Sequence, residues 1–145
     1  MDIDTRLIKK YNKAGPRYTS YPPANYFTED FTSEDYLNMV RASNKERPHS
    51  ISLYIHIPFC PQICYFCGCN TNLIRRRDEI EKYITHIKKE IRLIGENLDK
   101  DRKVTQIHWG GGTPNSLNLD FVEDVMGFIY ERFNMADDPE IAMEC

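Results

Sequence analysis

The hydrophobic period of this chain switches repeatedly between two and about 3.6, and the switches restrict the folds open to it. Residues 52–57 alternate, with Leu53, Ile55 and Ile57 on one side and Tyr54 and His56 on the other, as a strand requires. Ile80, Ile84, Ile87, Ile91, Ile94 and Leu98 then recur at spacings of four and three, the pattern of an amphipathic helix. Val104 to Trp109 reads as a second strand, and Gly110 to Pro114 as a tight loop. Val122, Val125, Met126, Ile129 and Phe133 mark a second helix, and Glu140 to Glu144 a third strand. Strands alternating with helices of this length imply crossovers and a parallel α/β sheet. Ligands of such sheets bind beyond the C-terminal strand ends.

The residues before this pattern read differently. Residues 2–14 are expected to form a short helix with Ile3, Leu7, Ile8 and Tyr11 on one face and Gly15 as its stop. Residues 15–31, rich in Pro and Tyr, are expected to be extended but ordered, because so many aromatics do not suit a solvated tether. Thr32-Ser-Glu-Asp35 has the form of a capping box for a helix reaching Ser43. The polar stretch 44–50, with Pro48, is the expected boundary, giving a 1–50 extension and a 51–145 β-α-β-α-β portion.

Three features fall at the C-terminal strand ends. The first is a cysteine loop after strand 1, Cys60-Pro-Gln-Ile-Cys64-Tyr-Phe-Cys67-Gly-Cys69. Its first three cysteines are spaced C-x3-C-x2-C. Three thiolates on one short loop can hold three irons of a [4Fe-4S] cluster and leave the fourth open, whereas electron-carrying clusters normally use four. An open iron can be chelated by a small molecule. Structural zinc is the alternative, but it prefers two separated ligand pairs, and the only other cysteine is Cys145. Disulfides are disfavoured by the odd cysteine count, the close spacing and the lack of a secretory signal. The second feature is Gly110-Gly111-Gly112-Thr113-Pro114, which matches neither the Rossmann fingerprint nor the P-loop. It is either a flexible βα turn or a place where a ligand approaches bare backbone, in which case a valine at 111 would occupy ligand space. The third is the carboxylate of Glu144, which alone is weak evidence.

These residues together resemble a family. Tyr54-Ile-His-Ile-Pro-Phe-Cys60, continuing through Cys64-Tyr-Phe-Cys67-Gly-Cys69-Asn70, is similar to the signature of the oxygen-independent coproporphyrinogen III oxidases of the radical S-adenosylmethionine (SAM) superfamily. Gly15-Pro-Arg-Tyr-Thr-Ser-Tyr-Pro22 and His108-Trp-Gly-Gly-Gly-Thr-Pro114 resemble that family's N-terminal segment and SAM loop. The resemblance implies a partial (βα) barrel of which this chain is the N-terminal part, since the family's members are much longer. It implies Cys60, Cys64 and Cys67 as ligands of a [4Fe-4S] cluster, with Cys69 outside the ligand set. It implies SAM contacts at Tyr54, Phe66, Gly111, Gly112, Thr113 and Glu144. His56 is left without a role, and the run Arg75-Arg76-Arg77 reads as a solvated face, although a propionate would need cationic partners.

The implied activity is anaerobic oxidative decarboxylation of coproporphyrinogen III to protoporphyrinogen IX in porphyrin and haem biosynthesis. An electron donor such as a flavodoxin or ferredoxin is implied with it. A related haem-carrying chaperone and a zinc structural module are the alternatives. A net charge of −3 makes no electrostatic case for nucleic acid. No apolar run approaches the roughly 18 residues of a membrane span. The expectation is a cytoplasmic monomer.

Overall fold

A computed structural model of the chain describes residues 4–12, 26–73 and 76–145. The Gly15 helix stop, the Gly15–Pro22 motif and most of the expected extended segment lie outside the described residues, as does Arg75. Contacts divide the chain into two compact units, Met1–Thr32 and Ser33–Cys145. In the first, α1 (Thr5–Tyr11) begins at Asp4, whose side chain accepts from the Arg6 N–H at 2.9 Å. It is shorter than the periodicity of residues 2–14 implies.

The second unit holds α2 (Ser33–Ser43), β1 (Ile51–Ile57), β2 (Phe59–Cys60), β3 (Asn72–Leu73), α3 (Arg77–Asn97), β4 (Lys103–Gly111), α4 (Leu119–Arg132) and β5 (Asn134–Met143). Strands β1, β4 and β5 form a parallel sheet in the order β1-β4-β5. The α/β class and parallel pairing expected from the sequence are therefore observed. The inward residues of β1 and β4 and the stripes of α3 and α4 form one core, with Ile55, Ile57, Ile84, Ile91, Val104, Ile107, Trp109, Val125 and Ile129 all buried. Burial of each such side chain contributes on the order of 1.5–3 kcal/mol.

Three parts differ from the sequence reading. α2 belongs to the sheet unit, although a division at residue 50 would place it with the extension. The reason is polar: buried Arg102 donates to the His49 carbonyl at 3.1 Å and to Ser43 Oγ at 2.8 Å, and Asn44 donates to the Asn97 carbonyl at 3.1 Å. The polar 44–50 stretch thus lines a joint. β5 starts earlier than Glu140. Its register jumps from Val104↔Met135 to Gln106↔Glu140, so residues 136–139 bulge against Thr105. Asp137, Asp138 and Pro139 hide this strand from pattern reading, and a bulge is where a strand tolerates Pro. Finally, Pro58 ends β1, but the chain resumes as β2, which pairs in parallel with β3 and closes the base of the cysteine loop.

Candidate functional site

The sheet has one face against the helices and one open face, and period two decides what the open face carries. β1 contributes Tyr54 and His56, and β4 contributes His108 and Gly110. Their register pairs Tyr54 with His108, His56 with Gly110, and His108 with Ala142 of β5. Glu144 follows directly after β5, its N–H bonded to the Trp109 carbonyl at 2.9 Å. Tyr54, His108 and Glu144 therefore meet at one rim, at the C-terminal ends of the strands.

Hydrogen bonds lock this rim together. One oxygen of Glu144 lies 3.2 Å from His108 Nε2, and the other accepts the Gly111 N–H at 3.1 Å. Those two bonds, His108 first, hold the Glu144 carboxyl below the usual carboxylate range. The Tyr54 ring stacks on His108 with centroids 5.8 Å apart and planes 13° apart. Burial, then the charge of Glu144 and of Cys69, pushes the Tyr54 hydroxyl upward. His56 Nε2 lies 2.8 Å from the Asn70 carbonyl, and its Nδ1 lies 3.2 Å from the Tyr54 hydroxyl. A carbonyl only accepts, so Nε2 carries the proton; in the neutral ring Nδ1 is then the acceptor and Tyr54 the donor. The Tyr83 hydroxyl donates to the His56 carbonyl at 2.7 Å.

The glycines join the rim to the cysteine strand. The N–H of Gly112 donates to the Ile57 carbonyl at 2.8 Å, and that of Thr113 to the Phe59 carbonyl at 2.9 Å. The Thr113 hydroxyl donates to Cys60 Sγ at 3.4 Å. Gly111 has φ +118°, and a Cβ there would stand 2.7 Å from the Ile57 carbonyl and 2.8 Å from the His56 ring. A Cβ at Gly112 would stand 2.8 Å from Cys60 Sγ. The idea that a valine at 111 would fill ligand space is thus corrected, because protein atoms already occupy that space. It is at Gly110 that an added Cβ would meet Tyr54, at 2.7 Å, and Glu144, at 3.1 Å.

Cys60 is buried, whereas Cys64, Cys67 and Cys69 are exposed on the loop between β2 and β3. Its turn is fixed by the Cys67 N–H donating to the Cys64 carbonyl at 3.1 Å. The Cys69 backbone, and after it the Thr71 hydroxyl, lowers the Cys67 thiol, a shift toward the thiolate that metals bind. Among the described residues no three His, Cys, Asp or Glu side chains gather closely enough to hold one metal ion. A four-iron cluster takes each thiolate on a different iron, and three cysteines on one short loop, with Cys60 anchored on β2, suit that donor set.

Of the residues singled out in the sequence, Tyr54, Gly111 and Glu144 come together at the rim, and Cys60, Gly112 and Thr113 meet beside it. Phe66, 90% exposed, stands on the outer part of the loop with Cys64 and Cys67. His108 was missed, although its period-two relation to Gly110 and its place opposite Tyr54 were available signals. His56, given no role in the sequence, ties Tyr54 to the cysteine loop. Arg76 pairs with Asp78, and Arg77 with Glu81 and Asp120.

A strand-end rim with a cysteine loop, a glycine joint and a fixed carboxylate defines the radical SAM class of site, and comparison with known proteins agrees. A family profile described as "Radical SAM superfamily" matches residues 54–145. An oxygen-independent coproporphyrinogen III oxidase of Mannheimia haemolytica is 47% identical over 141 residues, covering 97% of this chain and 94% of that relative. The namesake of Escherichia coli (strain K12) is 45% identical over 144 residues, covering 99% of this chain and 31% of its own length. A solved structure described as coproporphyrinogen III oxidase from Escherichia coli, a Radical SAM enzyme, superposes with a TM-score of 0.81 at 40% identity, covering 98% of this chain and 30% of that one. The chain belongs to the Radical SAM superfamily and, within it, to the oxygen-independent coproporphyrinogen III oxidases. The cofactors of that family are a [4Fe-4S] cluster and SAM. The chain spans about a third of the length of most of these relatives. They favour the oxidase over the chaperone and zinc-module alternatives.

Proposed function

We propose that this chain is the cofactor-binding part of an enzyme that oxidatively decarboxylates coproporphyrinogen III to protoporphyrinogen IX without oxygen. Cys60, Cys64 and Cys67 hold the cluster. Tyr54, Phe66, Gly111, Gly112, Thr113 and Glu144 form the SAM side. The bound cofactors supply hydrogen-atom abstraction at the carbon β to a substrate propionate's carboxylate. The resulting propionate radical would then lose carbon dioxide and pass one electron to a separate one-electron acceptor, leaving a vinyl group; two such steps give the product. The chain's own residues orient and hold. The Gly110–Thr113 strand end carries Cys60 against Gly112, and Glu144 and the Tyr54 oxygen offer acceptors to a ligand's ammonium or hydroxyl donors. A flavodoxin or ferredoxin supplies the reducing electron, and the enzyme works as a cytoplasmic monomer. Among the described residues no helix is long and apolar enough to cross a membrane.

The observation that carries the reading is the meeting of Cys60, Gly112 and Thr113 beside Tyr54, Gly111 and Glu144 at one strand-end rim. The test is anaerobic reconstitution. About four irons per chain are expected, with Cys60→Ala, Cys64→Ala and Cys67→Ala each losing the cluster and Cys69→Ala keeping it. Colourless protein carrying zinc, or equal iron loss in Cys69→Ala, would overturn the assignment.

A further inference from the structure

We propose that His108 is a positioning residue that fixes the Glu144 carboxylate toward the ligand side of the rim. The proposal rests on the SAM reading above. Glu144 lies just past the end of β5 with its side chain about half exposed, so the strand itself does not orient it. Its two oxygens are held separately, one by His108 and one by the Gly111 N–H. An ionised carboxylate only accepts, so His108 carries its proton at Nε2. The His108 ring is itself held by stacking on Tyr54, its register partner on β1. Tyr54 is tied to His56, and His56 to the Asn70 carbonyl at the end of the cysteine loop. The carboxylate's direction is therefore set from the loop that carries the cysteines, through two stacked rings.

A solvent-facing His–Glu pair commonly contributes little to stability. The arrangement differs from such a pair in that both oxygens are bonded and the donor ring is itself fixed. Its effect belongs in ligand affinity, because a carboxylate aimed in advance loses less freedom when a cation arrives.

Two variants separate the donor from the ring. His108→Phe keeps an aromatic on Tyr54 and removes the N–H. His108→Gln removes the ring and puts an amide N–H near the position of Nε2. The readouts are iron per chain, the SAM dissociation constant by equilibrium dialysis, and the Glu144 titration followed by carboxyl 13C resonance in the cluster-free chain. Iron is expected to be equal in all. His108→Phe is expected to weaken SAM about tenfold, roughly one hydrogen bond's worth, and His108→Gln, which keeps a donor but loses the stacked ring, by clearly less. The Glu144 midpoint is expected to rise in the Phe variant and stay low in the Gln variant. Unchanged affinity and midpoint in His108→Phe, or equal losses in both variants, would overturn the proposal. If the parent itself fails to bind SAM, the functional reading above falls, and the Glu144 titration still decides the role of His108.

Discussion

One methyl group at residue 112 would stand 2.8 Å from the sulfur of Cys60 and 2.9 Å from the Phe59 carbonyl, and neither neighbour is the free end of a flexible chain. Gly112→Ala is therefore expected to displace β2 and cost most of the bound iron, with the helical signal unchanged; normal iron content would show that β2 yields. Gly111→Ala acts differently. Its φ of +118° and the nearby Ile57 carbonyl make the change a backbone strain of about 1–3 kcal/mol, readable as a lower denaturant midpoint. The sequence marked these glycines but could not say what they approach, since close approach to protein and to ligand demand the same residue. Glu144 gives the pH dependence. Its folded-state pKa is depressed, so the interaction is present above the unfolded value and lost as pH falls through the lower folded one. SAM affinity should stay level across neutral pH and weaken only in acid, below the ordinary carboxylate range. Weakening centred near 6.5 would assign the control to a histidine instead.

Elements were legible in proportion to their repetition. The stripe from Ile80 to Ile94 and the alternation of Leu53, Ile55 and Ile57 repeat often enough to announce α3 and β1, and both appear where the periodicity puts them. β2 and β3, at two residues each, are too short to show any period, and their pairing depends on the loop they close. β5 is obscured by the bulge around Asp137, Asp138 and Pro139. The site's logic was legible only as a list of residues. That Tyr54 faces His108 depends on register, which only the completed sheet fixes. The short β2–β3 pair is the clamp on the cysteine loop, anchored where the Asn72 N–H donates to the Pro58 carbonyl at 2.6 Å. Asn72→Pro removes that donor. Loss of one hydrogen bond should speed iron release to a chelator by about tenfold while the circular dichroism spectrum holds. An unchanged release rate would mean that the His56–Asn70 contact alone holds the loop.

At the scale of the molecule, the core and the cysteine loop are separable. The core is drawn from β1, β2, α3, β4 and α4 with Leu117, and its largest wholly buried side chain is Trp109. The cysteine loop gives that core only its first residue, Cys60, while Tyr65 and Phe66 face solvent. In small metal domains the unfolded apo chain and the folded holo chain are the two states, because the metal takes the place of a core. Here the sheet unit has its own core, so removing iron should act on the loop and leave the fold. Chelation under anaerobic conditions is expected to leave far-UV circular dichroism unchanged while opening a protease-sensitive region between Pro61 and Asn70. Reloading iron should close that region again, with bound ligand adding stability by mass action. The sheet also predicts where cleavage should not reach: His56 and Asn72 are held through β1 and β3, so the cut stays between them. Cooperative unfolding of residues 33–145 on chelation would mean that the cluster, and not the apolar contacts of Ile57, Ile107 and Trp109, holds the sheet together.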